Sequence, residues 1–323
     1  MPNNHIDESH DPKLKSWVES ANDPATDFPV QNLPLCAFQK AHDGHSHRHL
    51  GVLIGDQIFD VSMLIETGMF SDGAFKDEYE YLTRSPFLNL VGYTQGMAKD
   101  LRTRVQRLLR DDVHVGQQAK RVRQKALVPQ EGTPLLLPIS VMNYTDFYAS
   151  KHHATNVGAM FRPDNPLLPN YKHVPIGYHG RASSIVASGT PITRPRGQQS
   201  PPDDKPGEGP TFGPCKLLDY EMELGLIVGR GNRLGEPLPM AQAREHMFGM
   251  CIVNDWSARD LQKWEYQPLG PFLAKNFATT MSTAIVTMEA LEPFRVNGPE
   301  RDADDPETLE YLRGEEDLGY DIT

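Results

Sequence analysis

At 323 residues, with 38% hydrophobic and 23% charged side chains, the chain is long enough to enclose one large core or two of ordinary size. Its formal net charge is −11, and residues 300–317 alone hold nine acids against two bases, so so acidic a surface excludes nucleic acid and anionic membranes as natural partners. There is no apolar signal core at the N-terminus and no run of about 18 apolar residues, and Cys36, Cys215 and Cys251 are scattered without C-x-x-C spacing, which reads as a soluble cytoplasmic protein with reduced thiols.

Residues 1–27 are polar and read as a loosely ordered extension with a short helix around Lys13 to Ser20. Three strands are expected next, Leu33 to Gln39, His49 to Ile54 and Gln57 to Met63, the last two joined as a hairpin at Gly55-Asp56. Between the first two lies a histidine tract, His42, His45, His47 and His49. With Asp43 its only carboxylate and no cysteine, it reads as a solvated turn rather than a metal site. From Phe75 to Gln124 the pattern is helical, with Leu101, Val105 and Leu108 on one stripe of a covering helix. Pro129 and the turn after it close this unit, so the boundaries expected are 1–27, 28–135 and 136–323.

The second unit opens with a strand, Ile139 to Tyr144. A helix directly after it would set Asp146 and His153 two turns apart on one face. Gly177 and Gly180 suit a tight loop carrying Tyr178 and Arg181. Residues 195–214 are too rich in proline and glycine for regular structure and read as a long surface loop, and the glycines at 229, 231 and 235 do not fit a dinucleotide fingerprint. Met250 to Val253 reads as a buried strand ending at Asn254-Asp255. Ser257 followed by Asp260 resembles a capping box, opening a helix with Arg259, Gln262, Lys263 and Tyr266 on one face. Lys275 and Thr279 follow, then strands at Thr283 to Met288 and from Gly319 onward.

The stretch with most chemistry is Leu217 to Gly229, LLDYEMELGLIVG. Its period of two puts Asp219, Glu221 and Glu223 on one face and Tyr220, Met222, Leu224 and Leu226 on the other. Carboxylates two residues apart on a strand lie roughly 7 Å apart and repel unless a cation sits between them. Asp146, Glu221, Glu223 and Asp255, with no cysteine among them, favour Ca2+ or Mg2+. His153 suits proton abstraction from water, and Arg162, Arg259 and Lys275 suit anionic substrate groups. The chemistry implied is metal-assisted attack of water on a carbonyl of an acidic substrate.

The motifs YTDFYASKHHATNVG, HVPIGYHGRASS, GPCKLLDYEMELGLIVG and NDWSARDLQKWEYQPLGPFLAKNF, with FPVQNLP and GVLIGDQIFD before them, resemble the fumarylacetoacetase family from about residue 28 onward. The resemblance implies a mixed, β-rich α+β fold: a small SH3-like N-terminal barrel, then a β-sandwich-like catalytic domain that forms a homodimer. It implies hydrolysis of the carbon–carbon bond of fumarylacetoacetate, with His153 as base and Arg259 and Lys275 stabilising the oxyanion. Asp146, Glu221, Glu223 and Asp255 match calcium ligands; Asp255, Lys275 and Thr279 match a magnesium site, where the lysine would offer its backbone carbonyl. Tyr148, Arg162, Tyr178, Gln262 and Tyr266 are the substrate-binding candidates. The family's catalytic domain continues past the point where this sequence stops, so a chain incomplete at its C-terminus, weakly stable and poorly active, is expected. The alternatives are a non-catalytic fragment that binds metal or dimerises, and an acylpyruvate hydrolase or decarboxylase of the same superfamily.

Overall fold

Branched and aromatic side chains in the runs LCAF and LGVLI build the first two strands of the computed structural model, which describes residues 6–42, 45–69, 95–202, 205, 207–303, 305–314 and 318–321. β1 (Leu35–His42) and β2 (His45–Ile54) pair antiparallel from Leu35 opposite Val52 to His42 opposite His45. The histidine tract therefore extends a hairpin rather than forming a solvated turn, and its residues 43 and 44 lie outside the described residues. The expected turn at Gly55-Asp56 leads into β3 (Gln57–Asp60), with Gly55 at φ +53° and Ser20 Oγ occupying the space a Cβ would need. β3 stops short of Met63 because the Asp60 carboxylate accepts the Met63 backbone N–H at 3.1 Å and so caps α1 (Val61–Glu66).

The helical stretch expected from Phe75 lies outside the described residues as far as 94. Beyond it come α2 (Gln95–Leu109) and α3 (Gln117–Lys125), then β4 (Leu127–Pro129) against β3 and β5 (Leu135–Leu136) against β1. Ala98, Leu101, Val105 and Leu109 form the buried stripe of α2, with Leu108 at its margin.

That helix also holds the described part of the N-terminal segment, residues 6–27, which is docked, not loosely ordered. Ser16 Oγ and the Trp17 indole N–H donate to the carbonyls of Leu109 and Leu108 at 2.7 and 2.8 Å, while Val18 and Ala21 join the main core. The short helix expected there is two 3-10 turns instead, Glu8–His10 and Glu19–Asn22.

The second half of the chain begins with β6 (Thr145–Phe147), α4 (Lys151–Phe161), β7 (Gly177–His179) and β8 (Ile185–Ala187). The region read as an irregular loop contains a hairpin, β9 (Arg196–Gln199) with β10 (Thr211–Pro214), because Gly197 and Gln199 alternate inward against the rest of the protein. Two long strands follow, β11 (Leu218–Val228) and β12 (Met247–Ala258), separated by α5 (Met240–Ala243). Next are α6 (Arg259–Glu265), α7 (Leu273–Asn276), β13 (Thr279–Met281), β14 (Ala284–Thr287), α8 (Met288–Leu291), β15 (Arg295–Asn297) and β16 (Leu318–Tyr320).

One sheet joins most of these in the order β4-β3-β2-β1-β14-β12-β13-β8, with β5 on β1 and β11 on the far side of β12. β8 and β13 run parallel and the other pairs antiparallel, which makes the sheet mixed and the class α+β. Leu35 faces Ile285 across β1 and β14, and Leu35, Val52, Phe59, Leu101, Phe248 and Ile285 share one core. Strands from either side of residue 136 are therefore hydrogen-bonded to one another.

Candidate active site

β11 keeps the alternation visible in its sequence, and the sheet decides which row faces inward. Asp219, Glu221 and Glu223 are half-buried toward the protein, while Tyr220, Met222 and Leu224 are 68, 79 and 51% exposed. The antiparallel register sets Asp219 opposite Ser257 and Glu221 opposite Asp255, and Asp255 faces Thr279 on β13. Glu221, Asp255 and Thr279 thus form one cross-strand row.

Asp146 reaches this row from a strand. The helix expected to carry it together with His153 begins only at Lys151, because β6 pairs with β7 and holds Asp146 opposite Tyr178. The carboxylates of Asp146, Glu223 and Asp255 each place an oxygen within 4.8 Å of the others. Burial raises the carboxyls of Glu223 and Asp255, and neighbouring acids raise them further, so that both are pushed up to about 7 despite the pull of Lys275. Asp255 Oδ1 is buried and without a hydrogen-bond partner, as is Thr279 Oγ1.

Glu221 stands outside that group of three. The Lys275 ammonium bridges Glu221 Oε2 and Asp255 Oδ2, the latter at 2.7 Å, and Arg259 donates to Glu221 Oε1 at 2.5 Å and to Asp219 Oδ2 at 2.9 Å. Burial alone would raise the Glu221 carboxyl, but Lys275 and Arg259 outweigh it and hold the group ionised. Burial would likewise lower the Lys275 ammonium, and the facing carboxylates hold it above its ordinary range. His153 Nε2 lies 3.7 Å from Glu221 Oε1, and the Tyr148 ring meets the imidazole edge-on, centroids 5.4 Å apart.

The remaining candidates border the same open cavity as these residues. Gln262 accepts from Arg259 at 3.0 Å; Tyr266, just past the end of α6, is half exposed; Arg162, at the end of α4, donates to the Pro166 carbonyl at 3.2 Å and leaves Nε unpartnered. Tyr178 is half-buried, with its hydroxyl lifted well above the ordinary phenol range by burial and by the nearby acids. The capping pattern at Ser257 does not form, because Ser257 is still in β12 and its hydroxyl donates to Glu221 Oε2 at 3.3 Å. Asp260 instead accepts from Cys215 Sγ, Gln199 and the Lys216 backbone, tying β9 and β10 to α6.

Two family models cover most of the chain: the fumarylacetoacetase N-terminal model matches residues 31–138 and the fumarylacetoacetate hydrolase C-terminal model residues 143–305. The fumarylacetoacetase of Bos taurus is 48% identical over 318 residues, spanning 95% of this chain and 71% of that protein. The chain belongs to the fumarylacetoacetase family. The human fumarylacetoacetase is 47% identical over 316 residues, again 95% of this chain and 71% of the relative. Among solved structures, a fumarylacetoacetate hydrolase from Exiguobacterium antarcticum superposes with a TM-score of 0.40 at 20% identity, covering 80% of this chain and 68% of that one.

Two parts of this fumarylacetoacetase-family site escaped the reading of the sequence. Ser257 fits a capping pattern in sequence, although its spacing of two from Asp255 on one strand puts both on the inward face. Tyr171 carried no signal at all; it closes on Tyr148 only through the fold, its hydroxyl donating to the Tyr148 carbonyl at 2.9 Å.

Proposed function

We infer that the chain hydrolyses the carbon–carbon bond of fumarylacetoacetate to fumarate and acetoacetate, the reaction its relatives are named for. The observation that carries this reading is the convergence of a three-carboxylate cluster, a buried lysine, a half-buried arginine and an imidazole on one cavity. The cluster offers only oxygen and includes the buried, unpartnered Asp255 Oδ1, so its residues fit a hard divalent cation. Asp146, Glu223 and Asp255 would hold it, joined by Glu221 in the finer assignment to Ca2+. For Mg2+ the finer assignment is Asp255, the Lys275 carbonyl and Thr279, supported by the unpartnered Thr279 Oγ1. A cation held there supplies Lewis acidity toward a substrate carbonyl oxygen.

His153 takes the proton from water as the water oxygen bonds to the carbonyl carbon. Glu221 Oε1, 3.7 Å away, stabilises the imidazolium that results. Arg259 and Lys275 hold the developing oxyanion, and when the carbon–carbon bond breaks its electron pair leaves as the acetoacetate enolate, which takes a proton back. Arg162, Tyr148, Tyr178, Gln262 and Tyr266, all bordering the cavity, bind the carboxylates and keto oxygens of the substrate. Loss of the substrate's diketone absorbance is the test; no turnover of fumarylacetoacetate with Ca2+ or Mg2+ present, or faster turnover of an acylpyruvate, would end this reading.

Division into an SH3-like N-terminal unit up to residue 135 and a catalytic unit from 136 belongs to the same proposal, as do the homodimer and the cytoplasmic location. The two family models, meeting between 138 and 143, support the division. Among the described residues no helix is long and apolar enough to cross a membrane.

A further inference from the structure

The acidic stretch near the C-terminus looks in sequence like a solvated run, yet part of it is bound to the helix that carries His153. Asp305, only 12% exposed at its side chain, accepts from Lys172 Nζ at 2.7 Å and from Lys151 Nζ at 3.4 Å through one carboxylate oxygen. Its other oxygen accepts the Asp302 backbone N–H at 3.0 Å, and Asp302 also pairs with Lys151. Lys172 holds the Asp305 carboxyl down at about 2, so it is ionised throughout the neutral range.

Both lysines belong to elements that carry His153 or its neighbours. Lys151 is the first residue of α4, whose Ser150 cap accepts the backbone N–H of His153 itself. Lys172 ends the 3-10 turn Pro169–Lys172 that carries Tyr171. Tyr171 hydrogen-bonds the Tyr148 carbonyl and stands perpendicular to the Tyr148 ring, centroids 6.2 Å apart, and Tyr148 in turn meets the His153 ring.

We propose that Asp305 is a positioning residue for His153, joining the start of α4 to the Tyr171 turn so that the Tyr148–His153 contact is held. The proposal rests on the hydrolytic reading for its kinetic consequence, but not for its structural one. A carboxylate gripping two ammonium groups from separate elements fixes their separation. A catalytic base misplaced by even 1 Å can lose a large part of its effect.

The test compares the unaltered chain with Asp305→Asn and Asp305→Glu. His153 ring-proton shifts are read by NMR at one pH, assigned through His153→Gln and with His49 as the remote reference, alongside steady-state turnover of fumarylacetoacetate. In Asp305→Asn, the displacement of the His153 signals by the Tyr148 ring current shrinks, kcat falls about tenfold and KM changes by less than about twofold. Asp305→Glu restores both, and the His49 signals do not move. Unchanged His153 signals, or unchanged kcat, in a folded Asp305→Asn protein would overturn the proposal. Should that variant unfold, Lys172→Met severs the same link from the other side and is judged by the same two readouts. If the unaltered chain shows no turnover, the hydrolytic reading fails while the NMR comparison still decides whether Asp305 positions the imidazole.

Discussion

Glu221 and Glu223 are two residues apart on one face of β11, yet the structure gives them opposite electrostatic surroundings. Lys275 and Arg259 neutralise the first, whereas the second faces Asp146 and Asp255. Removing the imidazole in His153→Ala should lower kcat by about 10²- to 10⁴-fold with an unchanged circular-dichroism spectrum, the range for loss of a positioned base. The raised carboxyls make a second, sign-definite expectation. Without a divalent cation, Glu223 and Asp255 stay protonated in the folded chain up to about 7, well past the point where the unfolded chain releases those protons. Their contribution to stability is present below the unfolded value and is lost as pH rises through about 7. In chelator the melting temperature should therefore fall across that window. Added Ca2+ or Mg2+ should raise it most at the alkaline end, and Glu223→Gln should flatten the fall and blunt the response to the cation.

At the scale of elements, α2 does more than cover the sheet. Its Arg102 guanidinium is buried and donates to Ser9 Oγ at 2.8 Å and to the Gln31 carbonyl at 2.5 Å, while Gln106 donates to the carbonyls of Ser9 and Val30 at 2.8 and 3.1 Å. Two polar side chains on an otherwise apolar stripe thus bind the N-terminal segment to the core. Leaving those acceptors unpaired in Arg102→Ala should cost on the order of 3 kcal/mol, read by urea unfolding. Leu109→Ala, at the buried end of the same helix, should cost about 2 to 5 kcal/mol through lost burial and the cavity left behind. Chymotrypsin cleavage at Trp17 should accelerate in the first variant more than in the second, because only the first releases the segment.

Across the whole molecule, the inward turn of the acidic row leaves an apolar one outside. Tyr220, Met222, Leu224 and Leu226 on β11 and Ile252 on β12 face solvent, and among the described residues β11 pairs only with β12, which leaves its other edge open. Light scattering should find a mass above the 36.2 kDa of one chain, and Met222→Lys with Leu224→Lys should bring it down toward that value. How much of this was legible follows from the range of the interactions. Turn glycine, strand alternation and the apolar stripe of α2 are contained within a few residues, so Gly55, the Asp219–Glu221–Glu223 row and Leu101 with Val105 could be read directly. The four acids could be named from residue type and strand alternation, but their partners could not. Local periodicity allows Asp146 and His153 to share one helix, and the pairing of β6 with β7 prevents it. Sequence by itself determined which side chains the site could use. Only the tertiary structure decided that three of the acids meet while Glu221 is claimed by Lys275 and Arg259, because repulsion and pairing between charges depend on distances set by strand register between segments far apart in the chain.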